Sequence, residues 1–266
     1  MIRVAPARLL IAAAVGCLVL ALALHGGDTE RAWFLTINDA AWRWAPPALL
    51  SCITILGQGL SATMLMAPSL LRAPGLMAAG VFATPVALLL SQLPKALINS
   101  PRPAAVLDPA LIHINGIRLA AHNSFPSGHS VTAFVVVAVL LGGAAARPRL
   151  PVAAAIVLLG ATVAAARIAV GAHWPSDVLA GAGVGLLSGL AGAWMSLRWR
   201  FWQRREAHAV MALIVLSCGV ILARIDLGYP LARPLQVVLA AVGVAAAAVA
   251  LWRLWASRSA PAPPPG

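Results

Sequence analysis

The stretch SFPSGHS at 124–130 gathers hydroxyl groups, a glycine and an imidazole directly before a long apolar run. The apolar run predicts a helix that begins here, and the first backbone N–H groups of a helix have no partner within it. These groups and the helix dipole favour a bound anion. Pro126 restricts the entry to the helix, and Gly128 permits close approach of the backbone. We therefore interpret Ser127 and Gly128 as an anion cradle with His129 at its rim.

The stretch RIAVGAHWPSD at 167–177 places a histidine and a carboxylate four residues apart. Pro175, between them, predicts the start of a helix. Asp177 can accept a hydrogen bond from one ring nitrogen of His173, which fixes the tautomer and leaves the other nitrogen free as a nucleophile. A second histidine, His129, is then the candidate general acid that protonates the leaving oxygen.

Three cations accompany these groups. Lys95 and Arg102 lie in KALINSPRP, and Arg167 begins the second stretch. Side by side they would repel one another, so a multiply charged anion would stabilise them, and guanidinium groups fit phosphate oxygens in a bidentate manner. No carboxylate cluster offers a Mg²⁺ site, and one His–Asp pair is a poor zinc site, so we expect neither a metal nor another cofactor. The predicted phosphate-binding residues are Lys95, Arg102, Ser127, Gly128 and Arg167.

These residues carry a family resemblance. KALINSPRP, PSGH and RIAVGAHWPSD resemble the three signature motifs of the type 2 phosphatidic acid phosphatase superfamily, K-x6-RP, PSGH and SR-x5-H-x3-D. Ala166 stands where the family usually has Ser, which removes a hydroxyl beside Arg167. The resemblance, over roughly 47–197, implies that His173 forms a phosphohistidine, Asp177 orients it and His129 is the acid. It also implies that the five phosphate-binding residues hold the phosphoryl group.

The composition predicts the elements that must position these residues. The chain is 61% hydrophobic and 10% charged, with a mean hydropathy of +0.91. Apolar stretches of about 20 residues, the length that crosses a bilayer as a helix, recur along it. We predict an all-α, polytopic membrane helical bundle of about eight transmembrane helices. Their approximate ranges are 8–24, 47–70, 74–93, 130–146, 150–169, 178–197, 208–224 and 235–252.

The resemblance and the composition divide these spans. A six-helix phosphatase core is predicted at 1–200, a C-terminal two-helix extension at 201–256 and a disordered tail at 257–266. Within the core, Gly181, Gly185 and Gly189 are spaced four apart. Small residues at this spacing are typical of close helix packing in lipid, which we favour over a nucleotide-binding loop.

The net charge of +12 concerns topology rather than a nucleic-acid partner, which we do not expect. With the N-terminus in the cytoplasm, arginines concentrate in the cytoplasmic segments, and every acidic residue except Glu206 lies on the opposite side. All three motifs then lie at the non-cytoplasmic face. This pattern predicts a multi-pass protein of the bacterial cytoplasmic (inner) membrane, with both termini cytoplasmic and its site facing the periplasm or exterior.

The predicted function is that of a lipid phosphatase. The partners are the bilayer and a lipid phosphate or diphosphate, with undecaprenyl diphosphate, phosphatidylglycerophosphate, phosphatidic acid and lipid A as candidate substrates. Two alternatives stay open: a phosphotransferase with a lipid acceptor in place of water, and a non-enzymatic lipid-phosphate transporter. The sequence makes no prediction about the oligomeric state.

Overall fold

The computed structural model describes residues 4–143 and 148–259, and all regular secondary structure in these ranges is helical. Short 3₁₀ turns connect some of the α-helices. The α-helices are α1 Val4–Leu24, α2 Asp28–Trp44, α3 Pro47–Ile55, α4 Gly59–Met66, α5 Ser69–Arg72, α6 Pro74–Leu97, α7 Pro103–Val106, α8 Gly128–Gly142, α9 Leu150–Ala169, α10 Pro175–Arg198, α11 Arg205–Arg224 and α12 Arg233–Ser259. The predicted all-α membrane bundle is confirmed. The predicted tail falls mainly on residues 260–266, outside the described residues.

The number of spans differs from the predicted eight. Six of the described helices are long and apolar enough to cross a membrane, or seven if the bent pair formed by α3 and α4–α5 counts as one span. That pair, predicted as one span at 47–70, bends by 72°. The side chain of Gln58 caps α4 by accepting from Leu60 N at 2.6 Å and Ser61 N at 3.2 Å, so the break is stabilised from within. The predicted span at 130–146 corresponds to α8, which has 15 residues.

Helix α10 lies at the centre of the bundle, against α1, α6 and α8. The glycines at 181, 185 and 189 face α8, which confirms the predicted close packing. A Cβ at Gly181 would lie 2.6 Å from Ser127 O, and one at Gly189 would lie 2.6 Å from the Cβ of Ala138. Because there is no room for a methyl group at these glycines, the backbone of α10 packs directly against atoms of α8 along their shared length.

Helix α2 lies between the first two predicted spans, 8–24 and 47–70, where the sequence analysis predicts no helix. Its Glu30 is 3% exposed and accepts from Ser176 N, at the start of α10, at 2.9 Å. The other carboxylate oxygen accepts from Gly26 N at 2.8 Å. A carboxylate at a helix N-terminus satisfies a free amide and complements the dipole, so Glu30 fixes α2 to α10.

The long connection between α6 and α8 is held by buried amide side chains. Asn38 of α2 donates to His113 O at 2.9 Å and to Ala169 O at 3.0 Å, and it accepts from His113 N at 2.8 Å. Asn115 donates to Pro47 O at 2.8 Å. These bonds join the connection to α2, α3 and the end of α9.

The C-terminal hairpin of α11 and α12 packs against α4 and α5. Met64 of α4 lies in one buried cluster with Val215 of α11 and Ala247 of α12. The link between α11 and α12 turns towards the motif-bearing end of the bundle. There Tyr229 packs with Ile55 and Val170.

Candidate active site

His173 lies in the short turn between α9 and α10, and Asp177 lies in the first turn of α10. Both are buried, at 3% and 0% exposure. His173 Nδ1 is 3.3 Å from Asp177 Oδ2. The same oxygen accepts from the backbone N–H of Trp174 at 2.8 Å, so Asp177 also caps α10. The helix start therefore holds the carboxylate beside the ring.

Ser124 is a third member of this group, and the sequence analysis gave it no role. Its hydroxyl donates to Asp177 Oδ2 at 2.5 Å and lies 3.4 Å from His173 Nδ1. The residue is fully buried. A hydroxyl two residues before PSGH was the available signal, but nothing in the sequence indicated which carboxylate it would meet.

Arg102 lies on the opposite edge of the histidine ring. Its Nη1 is 3.2 Å from His173 Nε2 and donates to Ala172 O at 3.0 Å. Because a guanidinium can only donate, Nε2 must accept and the ring proton must be on Nδ1, facing Asp177. The contacts on the two edges of the ring therefore assign the same tautomer independently.

Asn123 connects two of the three cations, and it too was missed in the sequence. Its Oδ1 accepts from Arg102 Nε at 3.2 Å, and its backbone O accepts from Lys95 Nζ at 2.8 Å. Lys95 Nζ also donates to Ser124 O at 3.4 Å. The stretch just before PSGH thus brings Lys95, at the end of α6, to the same place as Arg102.

The electrostatic environment keeps His173 neutral. Burial lowers the pKa of the His173 imidazole well below its usual 6.5. The positive charges of Arg167, Arg102 and Lys95 lower this pKa further. Burial and, after it, the charge of Arg167 also lower the pKa of Arg102, because both disfavour its charged form. A phosphate group bound between them would relieve that cost.

The start of α8 differs in one respect from the predicted cradle. Ser127 is the N-cap, and its amide donates to Asp177 O at 2.9 Å instead of being free for an anion. This bond joins α8 to α10. Within residues 4–143 and 148–259, the amides of Gly128 and His129 make no backbone hydrogen bond, so they are the donors left at this terminus. A Cβ at Gly128 would meet open space.

His129, in the first turn of α8, makes no side-chain hydrogen bond to another residue that the structure describes. The break between α3 and α4 passes directly beside it. A Cβ at Gly57 would lie 3.0 Å from both the Cβ and the O of His129. Glycine at this position therefore lets the bent span approach the histidine.

Arg167, in the last turn of α9, is 2% exposed. Its Nη1 donates to Thr54 Oγ1 of α3 at 2.7 Å and to Tyr229 Oη of the α11–α12 link at 2.8 Å. Neither hydroxyl was singled out in the sequence, since both lie far from the motifs along the chain. Ala166 is also buried and contributes no hydroxyl. The predicted site residues thus surround one end of α8, α9 and α10.

No group of three or more His, Cys, Asp and Glu side chains that could hold a metal occurs among the described residues. A groove of about 640 Å³ begins at the cradle, where Gly128 and Gln58 line it. It continues along α6 from Gln92 to Met77 and reaches the middle of α11 at Val215. Its walls are mainly apolar side chains of α4, α6, α8 and α11.

The chain is similar in sequence and in structure to known phosphatases. The sequence pattern of the PAP2 superfamily matches residues 75–203. A lipid A 1-phosphatase of Rhizobium etli is 33% identical over 208 residues, which cover 74% of this chain and 75% of the relative. One from Porphyromonas gingivalis is 43% identical over 113 residues, or 37% of this chain and 24% of that relative. The crystal structure of Aquifex aeolicus LpxE matches with a TM-score of 0.56 and 26% identity, covering 65% of this chain and 98% of that one.

All of the candidate site residues named from the sequence lie inside the range that the superfamily pattern matches. The relative from Rhizobium etli extends the likeness over most of both chains. The chain therefore belongs to the PAP2 superfamily, and it is a membrane phosphatase, a hydrolase of phosphoric esters.

Proposed function

We propose that this protein removes a phosphate group from a membrane lipid through a phosphohistidine on Nε2 of His173. The carrying observation is the assignment of the ring: Nδ1–H faces Asp177 at 3.3 Å, while Nε2 accepts from Arg102 at 3.2 Å. The lone pair on Nε2 of the neutral imidazole points towards Arg102. It can therefore attack the phosphorus of a phosphoryl group whose oxygens are held by that guanidinium.

The reaction has two steps. In the first, Nε2 of His173 forms a bond to phosphorus, the ester P–O bond breaks, and His129 gives its proton to the leaving oxygen. In the second, water attacks phosphorus, the N–P bond breaks, and His129 takes a proton from the water. The imidazolium formed during attack is stabilised by Asp177.

The phosphoryl oxygens are held by positive groups and backbone amides. Lys95, Arg102 and Arg167 balance the charge that develops on these oxygens, as metal ions do in other phosphoryl-transfer enzymes. The amides of Gly128 and His129 add donors at the start of α8. The Ser127 amide is engaged with Asp177, so we assign to Ser127 the joining of α8 to α10 in addition to its predicted place beside the phosphate.

Lipid A is the substrate that we place first among the four candidates, because the relatives from Rhizobium etli and Porphyromonas gingivalis are lipid A 1-phosphatases. The groove supports a lipid of some kind. It joins the cradle to apolar walls over about 22 Å of α6, at 1.5 Å per residue, and its volume is typical of ligand pockets. An acyl chain could lie there while the phosphate group lies at the cradle.

A phosphate-release panel tests this function. The purified protein in detergent would receive lipid A, undecaprenyl diphosphate, phosphatidylglycerophosphate and phosphatidic acid in parallel, with His173→Ala as the negative control. We expect the highest kcat/KM with lipid A. Release from none of the four would contradict the proposal. Label that moves from one lipid to another, with no free phosphate, would instead identify a phosphotransferase, and lipid binding that survives His173→Ala without turnover in the parent would indicate a transporter.

We also propose that the protein lies in the bacterial inner membrane with both termini in the cytoplasm. In this arrangement the site faces the periplasm or exterior, while Arg72, Arg149 and Arg204 lie at the cytoplasmic ends of their helices, as the positive-inside rule requires. Single cysteines near Ala121 and near Arg204, in a background without the native cysteines, should label from opposite sides. Equal labelling by an impermeant reagent in intact spheroplasts would contradict this topology.

A further inference from the structure

The guanidinium of Arg167 is held by two hydroxyls that belong to no motif. Thr54 accepts from Nη1 at 2.7 Å and Tyr229 accepts from the same nitrogen at 2.8 Å. Thr54 is fully buried and Tyr229 is 9% exposed. Both lie outside residues 75–203, the range that the superfamily pattern matches.

The two hydroxyls account for both protons of Nη1 and leave the other edge of the guanidinium, Nε and Nη2, for a ligand. Among the described residues, Nε of Arg167 is buried and has no hydrogen-bond partner. Leaving a charged donor unpaired in a buried site is costly, so this edge requires an acceptor that the protein does not supply. Two phosphate oxygens fit that edge in a bidentate manner.

The position of Tyr229 is fixed by its own link. Gly228 has φ +77° and its amide donates to Asp226 Oδ1 at 2.7 Å, which turns the chain. Gly116, at φ +83°, lies against this turn, since a Cβ there would be 2.6 Å from Gly228 O and from Tyr229 Cε1. The close contact with Gly116 restricts the ring of Tyr229, which packs beside Ile55 and Val170.

We propose that Thr54 and Tyr229 are positioning residues that hold the Nε–Nη2 edge of Arg167 towards the phosphate, so that the C-terminal hairpin is part of the active site. This inference rests on the proposed function, because it assumes that Arg167 binds the phosphoryl group. Two neutral acceptors orient the guanidinium without cancelling its charge, which a carboxylate in their place would do.

Binding of orthovanadate, a phosphate analogue, gives a direct test by isothermal titration of the purified protein. Tyr229→Phe removes one hydroxyl and keeps the ring, and Thr54→Val removes the other and keeps the shape. Each should weaken vanadate binding roughly 10-fold, and kcat/KM should fall by a similar factor. Thr54→Ser should restore most of the loss. Thr162→Val is the matched control, because its hydroxyl lies on the same helix as Arg167 but donates only to Leu158 O.

The decisive measurement is the coupling to Arg167. In an Arg167→Ala background, Tyr229→Phe should have no further effect on vanadate binding, since the hydroxyl then has no guanidinium to hold. An equal 10-fold loss with and without Arg167 would overturn the proposal, as would unchanged binding in both single variants. A parent protein that neither binds vanadate nor releases phosphate would contradict the proposed function itself. A parent active in both assays with unaffected variants would contradict only the positioning role.

Discussion

Cations at two places in this molecule are held in opposite ways. On α2, Arg43 makes a 2.6 Å ion pair with Asp39, and both side chains are largely exposed. At the site, the hydrogen-bond partners of Lys95, Arg102 and Arg167 are carbonyls, an amide, an imidazole nitrogen and hydroxyls. Within residues 4–143 and 148–259, none of these three makes a salt bridge.

The two arrangements differ in whether the positive charge of the cation remains available to bind an anion. The exposed pair satisfies itself, and such pairs contribute little to stability. At the site, neutral acceptors fix the direction of each cation but leave its charge uncompensated, so the positive potential remains for an anion. The carboxylate of Asp177 faces His173 through Oδ2, beside Ser124.

The largest effect should come from removing the imidazole of His173, which lies beside those cations. His173→Ala should abolish turnover of every substrate, because the proposed reaction passes through a phosphohistidine on Nε2 of His173. Single-turnover release of lipid product would show no burst. His208→Ala is the control, since His208 lies at the start of α11, away from the motif residues. A remaining burst in His173→Ala would mean that another residue is the nucleophile.

His129→Ala should distinguish between leaving groups. A lipid alkoxide needs a proton to leave, whereas a lipid phosphate leaving from a diphosphate is already a stable anion. The burst should therefore slow by about 10²–10⁴-fold for a monoester and by much less for a diphosphate. If both substrates lose the same factor in the burst, His129 does not protonate the leaving group.

A carboxylate introduced beside Arg102 would give this cation an ion-pair partner, as Asp39 is for Arg43. Asn123→Asp places a negative charge against Arg102 Nε, where the amide oxygen now lies at 3.2 Å. Phosphate affinity should fall roughly 100-fold, because the cation then has a partner of its own. Asn123→Ala, which removes the amide without adding charge, should cost less. Equal losses in the two variants would show that charge is not the cause.

The same Asn123→Asp variant should change the pH profile. The pKa of His173 lies well below 6.5 because of burial and the nearby cations, so the neutral nucleophile persists to acidic pH. The acid limb of kcat/KM for the parent should lie below pH 6.5. A new negative charge favours the protonated ring, so the limb should move to higher pH in the variant. A limb that stays fixed would show that it reports another group.

Ser124→Ala should have a moderate effect. Its hydroxyl is bonded to Asp177 Oδ2 at 2.5 Å, and its loss leaves the carboxylate with fewer donors and the imidazole less well oriented. We expect kcat to fall roughly 10-fold with little change in KM. Ser69→Ala, in α5, is the comparison variant. A change confined to KM would assign Ser124 to substrate binding instead.

The smallest effect on turnover should come from Glu30, a carboxylate that serves the fold. Glu30→Gln weakens the cap on α10 and should lower the free energy of unfolding by about 1 kcal/mol, with kcat nearly unchanged. Thermal unfolding in detergent measures this. Glu206→Gln is the matched variant, since Glu206 is exposed in the first turn of α11. A tenfold loss of kcat in Glu30→Gln would move this residue into the catalytic group.

The sequence was sufficient to predict the candidate site residues that lie in short motifs. It was insufficient to predict the residues that contact them from distant parts of the chain. His173 and Asp177 are four residues apart at a helix start, so their contact follows from local geometry. Thr54 is 113 residues from Arg167 along the chain, and Tyr229 is 62 residues away. No local pattern predicts such contacts, because they depend on how whole helices pack.

The membrane elements follow the same division. Hydropathy predicts the long apolar helices, since lipid requires their length and composition. It does not predict the break after Ile55, because α3 and α4 are each apolar and the cap that separates them is a single side chain, Gln58. Nor did it indicate α2, whose polar residues satisfy partners elsewhere in the bundle, as Asn38 does.

The glycines of α10 have a consequence for movement. Because no methyl group fits between Gly181 or Gly189 and α8, those two helices cannot slide or rotate against each other without a clash. We therefore expect α8 and α10 to move as one unit, which keeps His129, on α8, at a fixed distance from Asp177, on α10.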